Sequence, residues 1–247
     1  MKNVTLYCLM AVTVICVSLG LSSCQNEPDT LTPVEQTNDL DWRSSSNNVL
    51  FPANAHPYGK SYEEWAVLFW QRLMAFDCAT IFSENVYGLD QDEPVFFLSG
   101  SVGTYTVDVT IPKNKAILTP IVNYINDFPC PDTSFHPAPG QSLEDFLQEG
   151  AAGFIDLVEN IEVTLDGVTL ENLENYRLSS SLFEFTGNAE LPTCFDPCVT
   201  GTEQSAVTDG YYLIFKKMSV GQHTLHLYAE IPAFGMVLDG TFNITVE

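Results

Sequence analysis

Apolar and polar residues alternate with a period of two along several stretches of this chain. In "YTVDVTI" Tyr105, Val107, Val109 and Ile111 alternate with Thr106, Asp108 and Thr110, and in "TFNITVE" Phe242, Ile244 and Val246 alternate with Thr241, Asn243 and Thr245. Successive side chains of a strand point to opposite faces, so both stretches predict half-buried strands. "PVFFLSG" and "YYLIFKK" are apolar without alternation, which predicts central strands covered on both faces. The pairs Asp166-Gly167, Asp209-Gly210 and Asp239-Gly240 stand between strand-like runs. Because tight hairpin turns need positive φ, these pairs predict hairpins and an antiparallel sheet.

Two stretches follow a helical pattern instead. In "SYEEWAVLFWQRLMAFD" Ser61 and Glu64 have the spacing of a capping box, and apolar residues fill most positions through Phe76. In "SLEDFLQEGAAGFIDLVENI" Ser142 and Asp145 repeat the cap spacing, with Leu143, Phe146, Leu147, Phe154 and Leu157 on an apolar face. Gly150 and Gly153 weaken that helix or permit close packing. Together these elements predict a mainly β, α+β fold: an antiparallel β-sandwich with about two helices packed on it, in one domain over 55–247.

The N-terminal pattern is different. Lys2 is followed by an apolar run without charge from Val4 to Leu21, which reads as an export signal over 1–23. The run is also long enough to serve as an uncleaved membrane anchor, the alternative reading. Leu21, Ser22, Ser23 and Cys24 resemble the lipobox of bacterial lipoproteins. That resemblance implies that Cys24 becomes the N-terminus and carries acyl chains, more than one of which gives stable anchoring to the membrane. From 24 to 54 the chain is rich in proline, acids and the run "SSSNN", with little apolar periodicity, and predicts a disordered tether. Acids soon after the anchor cysteine resemble the signals that send some lipoproteins to the outer surface, so the expected place is the cell envelope, at the outer membrane.

Charge narrows the partners. The chain carries a formal net charge of −23, and past Lys2 its basic residues are scattered (Arg43, Lys60, Arg72, Lys113, Lys115, Arg177, Lys216, Lys217). No basic patch neutralises a phosphate backbone, so nucleic acid is not an expected partner. Cations, neutral polymers such as glycans, or an envelope protein fit better, although excess negative charge also simply keeps an exported protein soluble.

"YEEWAVLFWQRL", "PVFFLSGSVG", "VTLDGVTLENLENYRLSSSLFEF" and "VTDGYYLIFKKMSVGQHTLHL", taken in order, resemble successive blocks of a family of secreted bacterial proteins of unassigned activity. The resemblance implies export and a β-rich fold, and it carries no catalytic residues. Phe69 stands where the family's blocks lead one to expect a second tryptophan.

Candidate chemistry is sparse. Cys78, Cys130, Cys194 and Cys198 remain after export into an oxidising space and predict two disulfides. Of the three connectivities, the short loop "CFDPC" favours Cys194 with Cys198, which leaves Cys78 with Cys130. Paired CxxC knuckles for zinc are missing. His223 and His226 are three apart, so on a strand they point to opposite faces and cannot grip one ion. Asp90, Asp92 and Glu93 in "DQDEP" are candidate calcium ligands in a loop, against the plainer reading of a solvated turn. Tyr62, Trp65 and Phe69 share a helical face that is either core or, if exposed, a platform for a sugar ring or protein. HExxH, GxSxG and P-loop motifs do not occur. The sequence therefore favours a non-catalytic binding module for a glycan or envelope component, with a polysaccharide hydrolase using paired carboxylates as the alternative.

Overall fold

The computed structural model describes residues 48–83, 86, 87, 89 and 91–247. The export signal, Cys24, most of the tether and Asp90 lie outside these residues. Helices α1 (Tyr62–Met74), α2 (Cys78–Ile81) and α3 (Leu143–Ile155) are set among the strands β1 (Val95–Phe97), β2 (Gly103–Ile111), β3 (Ala116–Phe128), β4 (Glu159–Leu165), β5 (Val168–Thr169), β6 (Arg177–Ser179), β7 (Phe183–Thr186), β8 (Glu203–Phe215), β9 (Gly221–Ile231) and β10 (Met236–Val246). Among the described residues no helix is long and apolar enough to cross a membrane.

The strands form two sheets, one in the order β1-β3-β8-β6 with β7 also on β8, the other in the order β2-β10-β9-β4-β5. Their buried residues share one apolar core with α1. The fold is thus the mainly β, two-sheet arrangement expected, but its pairing is mixed: β1 runs parallel to β3 and β2 parallel to β10, and the other pairs are antiparallel. The chain passes from β2 to β3 across a turn at Pro112–Lys115 and changes sheet there.

The period-two strands bury the residues expected: Val107, Val109 and Ile111 of β2, and Phe242, Ile244 and Val246 of β10. The unbroken apolar runs divide. β8 is central and covered on both faces, whereas β1 is an edge strand although all three of its residues are buried. An apolar pattern reports which faces are covered, not how many neighbours a strand has within its sheet.

Of the three predicted hairpins only Asp166-Gly167 is one; both residues have positive φ, and they join β4 to β5. Asp209-Gly210 and Asp239-Gly240 lie inside β8 and β10, and close packing accounts for their glycines. A Cβ at Gly210 would stand 2.7 Å from the Asn123 backbone, and one at Gly240 would stand 2.2 Å from the Tyr105 ring. Gly210→Ala forces the β3–β8 pair apart and is expected to lower stability by about 1–3 kcal/mol, read from chemical denaturation. An unchanged midpoint would refute that close approach.

α1 begins as its cap predicts, with the Glu64 amide donating to Ser61 Oγ at 3.1 Å and the Ser61 amide to Glu64 Oε2 at 2.6 Å. Its Trp70 donates Nε1–H to Thr208 and Tyr212 on one face of β8, and Leu147 and Ala151 of α3 pack with Val207 on the other. α3 stops at Ile155, short of the apolar pattern, because Glu159 onward pairs with β9. Gly150 lets α3 approach β3: a Cβ there would meet the Asn126 amide, which donates to the Leu147 carbonyl at 2.9 Å.

Two further expectations are corrected. The disulfides are Cys78–Cys194 and Cys130–Cys198, not Cys194–Cys198 and Cys78–Cys130. Cys194 ends a short 3-10 turn against the start of α2, and Cys198 lies four residues on, against the segment that leaves β3. Each thus ties a loop to a different element, which proximity along the chain did not reveal. The folded part also starts before residue 55: Leu50 is buried opposite Phe215, and the Phe51 amide donates to the Ile214 carbonyl at 2.9 Å.

Candidate functional site

A cleft of about 560 Å³ opens between α1, the segment after α2, and the facing parts of both sheets. That volume lies in the range of small-ligand sites. Phe69, Trp70 and Leu73 of α1 form one wall, Tyr105 and Val107 of β2 another, and Pro120 and Ile121 of β3 a third. The third wall follows from a register shift between Pro120 and Val122, where β3 bulges away from β8. A proline, with no N–H to offer the ladder, is tolerated at such a bulge.

The mouth carries two aromatic rings. Phe82, 64% exposed, follows α2, and Phe195 follows Cys194; their ring centroids lie 6.2 Å apart, and Phe195 sits 6.4 Å from Trp70. The Cys78–Cys194 bond holds these two segments together and so fixes the rim. Trp70 is turned so that its N–H is satisfied inside by Thr208 and Tyr212 at 2.8 and 2.9 Å. Tyr87 donates its hydroxyl to the Ser99 carbonyl at 2.5 Å on the opposite lip.

The charge of the cleft is the informative feature. Among the described residues that line it there is no carboxylate, amine, guanidinium or imidazole; its polar groups are serines, Thr106, Asn123 and the phenols of Tyr87 and Tyr105. Burial pushes the Tyr105 phenol up to about 12, so it stays neutral. General acid–base chemistry needs a group that titrates near the working pH, and this lining supplies none. The arrangement can stack on, enclose and hydrogen-bond a neutral ligand.

Paired carboxylates do occur elsewhere. Asp127, at the end of β3, and Asp196 bring carboxylate oxygens within 4.8 Å of one another beside the Cys198 sulfur. That sulfur is bonded to Cys130 and is no thiolate, while Gln204 donates its amide to Asp127. Asp127 is 2% exposed, and its carboxyl is pushed up to about 7, first by burial and then by the Asp196 charge. A glycosidase pair must flank a substrate cleft, whereas neither Asp127 nor Asp196 lines the one described above. Sequence reasoning missed this pair because 69 residues separate its members, and their segments meet through the Cys130–Cys198 bond and through Gln204, which donates to Asp127 and to the Cys198 carbonyl.

The residues singled out from sequence are scattered. Tyr62, Trp65 and Phe69 are buried, with the Tyr62 hydroxyl donating to the Phe51 carbonyl and Trp65, 0% exposed, to the Pro57 carbonyl; only Phe69 reaches the cleft. The helical face they share is therefore core, not an exposed platform. Near Asp92 and Glu93 the Lys115 ammonium is the cation: it donates to the carbonyls of Gln91 and Glu93, and the Glu93 carboxylate lies 4.0 Å from Lys60. His223 and His226 point to opposite faces of β9 and pair with different carboxylates, Asp166 and Asp239, each at 2.8 Å. The cleft itself was hidden because its walls come from segments as far apart as Phe69 and Leu238.

No protein-family model matches the chain, and no curated protein or solved structure matches it either.

Proposed function

We propose that this protein is a cell-envelope lipoprotein, held by acyl chains on Cys24 at the outer membrane, whose exported β-rich domain is a non-catalytic binding module for a glycan or another envelope component. The observation that carries the binding reading is the large cleft with an aromatic rim and no carboxylate, amine, guanidinium or imidazole among its described lining. The lipobox-like residues Leu21 to Cys24 and the export-signal pattern before them support the location, and the resemblance of the blocks to a family of secreted bacterial proteins agrees with export. The strong negative charge argues against nucleic acid as the partner.

Two experiments test this. In a screen of neutral oligosaccharides and envelope fractions, with a parallel assay for released sugar, binding without release is expected; sugar release would replace the module with a hydrolase. A Cys24→Ala variant is expected to lose nearly all metabolic labelling by a fatty-acid analogue and to stop accumulating as the mature membrane form. Labelling equal to the parent would end the lipoprotein assignment and favour the uncleaved anchor.

A further inference from the structure

The cleft is bounded by two strand edges. β2 pairs along all nine residues with β10 and, among the described residues, with no strand on its other side. In a parallel pair, alternate residues turn their N–H and C=O toward the partner and the rest turn them away, so the outward-turned groups of β2 have no strand partner among the described residues. The opposite wall is similar: β1 stops at the pair Phe97 and Leu118, and the β3 edge runs on past it through Pro120 and Ile121.

Exposed strand edges are normally blunted by lysine, proline or a bulge. Between Gly103 and Ile111 there is no lysine or proline, the one charged side chain, Asp108, accepts from Asn243 of β10 at 2.8 Å, and the register with β10 is unbroken. The three consecutive residues Tyr105, Thr106 and Val107 line the cleft, so the edge and the cavity are one feature.

We propose that β2 and the cleft together take an extended, uncharged segment of a partner polypeptide as an added strand. This rests on the reading of the domain as a binding module and names its partner class. Strand addition derives affinity from main-chain hydrogen bonds and selectivity from pockets for alternate side chains. Side chains of an added strand that fall on the Tyr105 and Val107 side enter the apolar cleft, and those on the Thr104 and Thr106 side face solvent. The partner segment therefore alternates apolar with polar residues over about five to seven positions, roughly 17–23 Å of strand. Charge selects it further. No described lining residue offers a counter-ion to a charged side chain, and a second copy of this chain, carrying −23 itself, is disfavoured by like-charge repulsion.

The test is amide hydrogen exchange on the whole protein with and without a capped peptide that alternates valine and threonine. Binding is expected to slow exchange at alternate β2 amides by tenfold or more, and a peptide N-methylated at alternate amides, which keeps the side chains but loses the edge bonds, is expected to give no protection. Val102→Asp, on a cleft residue that is 56% exposed, places a charge at the mouth without disturbing the core and is expected to weaken peptide binding at least tenfold. Equal binding of the N-methylated peptide, unslowed β2 amides, or β2 protection that depends on self-association without peptide would each overturn the proposal. Sugar release in the oligosaccharide screen would overturn the non-catalytic reading and leave the β2 result standing.

Discussion

Arg177→Met is expected to lower folding stability by about 3–5 kcal/mol, because it removes one partner of a buried ion pair. Arg177 sits at the start of β6 and reaches two carboxylates: Asp209 of β8, at 2.9 Å, and Asp156 at the end of α3, at 2.7 Å. The distances are alike but the surroundings differ. The Asp209 side chain is 4% exposed and that of Asp156 is 64% exposed. A solvated pair contributes about 0–1 kcal/mol, so Asp156→Asn is expected to change little. Loss of the guanidinium leaves Asp209 buried without its cation, and Arg177→Met/Asp209→Asn is expected to recover more than half of the loss. Denaturation midpoints of the three variants measure this, and a loss below about 1 kcal/mol for Arg177→Met would show that water screens the Asp209 pair.

Asp127→Asn is expected to act in the opposite sense and to depend on pH. In the folded protein the Asp127 carboxyl is pushed up to about 7, by burial first and by the Asp196 charge second, from the ordinary 3.8. A carboxyl whose folded value is raised holds its proton more tightly in the folded state. Its contribution is therefore present at low pH and is lost as pH rises from about 4 to about 7. The full loss corresponds to about 4 kcal/mol. Asparagine cannot ionise and its carbonyl can still accept from Gln204, so the variant should match the parent near pH 4 and exceed it by up to about 4 kcal/mol above pH 7. Chemical denaturation of both proteins across pH 4–8 is the measurement. Parallel stability curves would show that Asp127 is solvated as an anion in the folded state.

Some of this organisation is legible in the sequence, because local forces dictate it. The capping box at Ser61 and Glu64, the cap at Ser142, the alternation in β2 and β10, the opposed histidines of β9 and the turn at Asp166-Gly167 depend on neighbours within a few residues. The mainly β class follows from the same patterns. Other features misled for an equally definite reason. Asp209-Gly210 and Asp239-Gly240 have turn chemistry, yet their glycines answer to a backbone and a ring brought in from Asn123 and Tyr105. The short "CFDPC" loop suggested a local disulfide, yet each cysteine is closer to a distant element than to its sequence neighbour's sulfur.

By itself, then, the sequence determined the class of the fold, its helix starts, its half-buried strands and the expectation of an exported, acidic, disulfide-bonded chain, since periodicity and capping act over one or two turns of backbone. The tertiary structure alone decided which strands lie side by side, which cysteines meet, that the Tyr62, Trp65 and Phe69 face is core, and where the cleft opens. Those outcomes depend on contacts between segments far apart in the chain, as between Trp70 and Tyr212, 142 residues on. A linear pattern records which side of a strand or helix is covered and carries no record of what covers it.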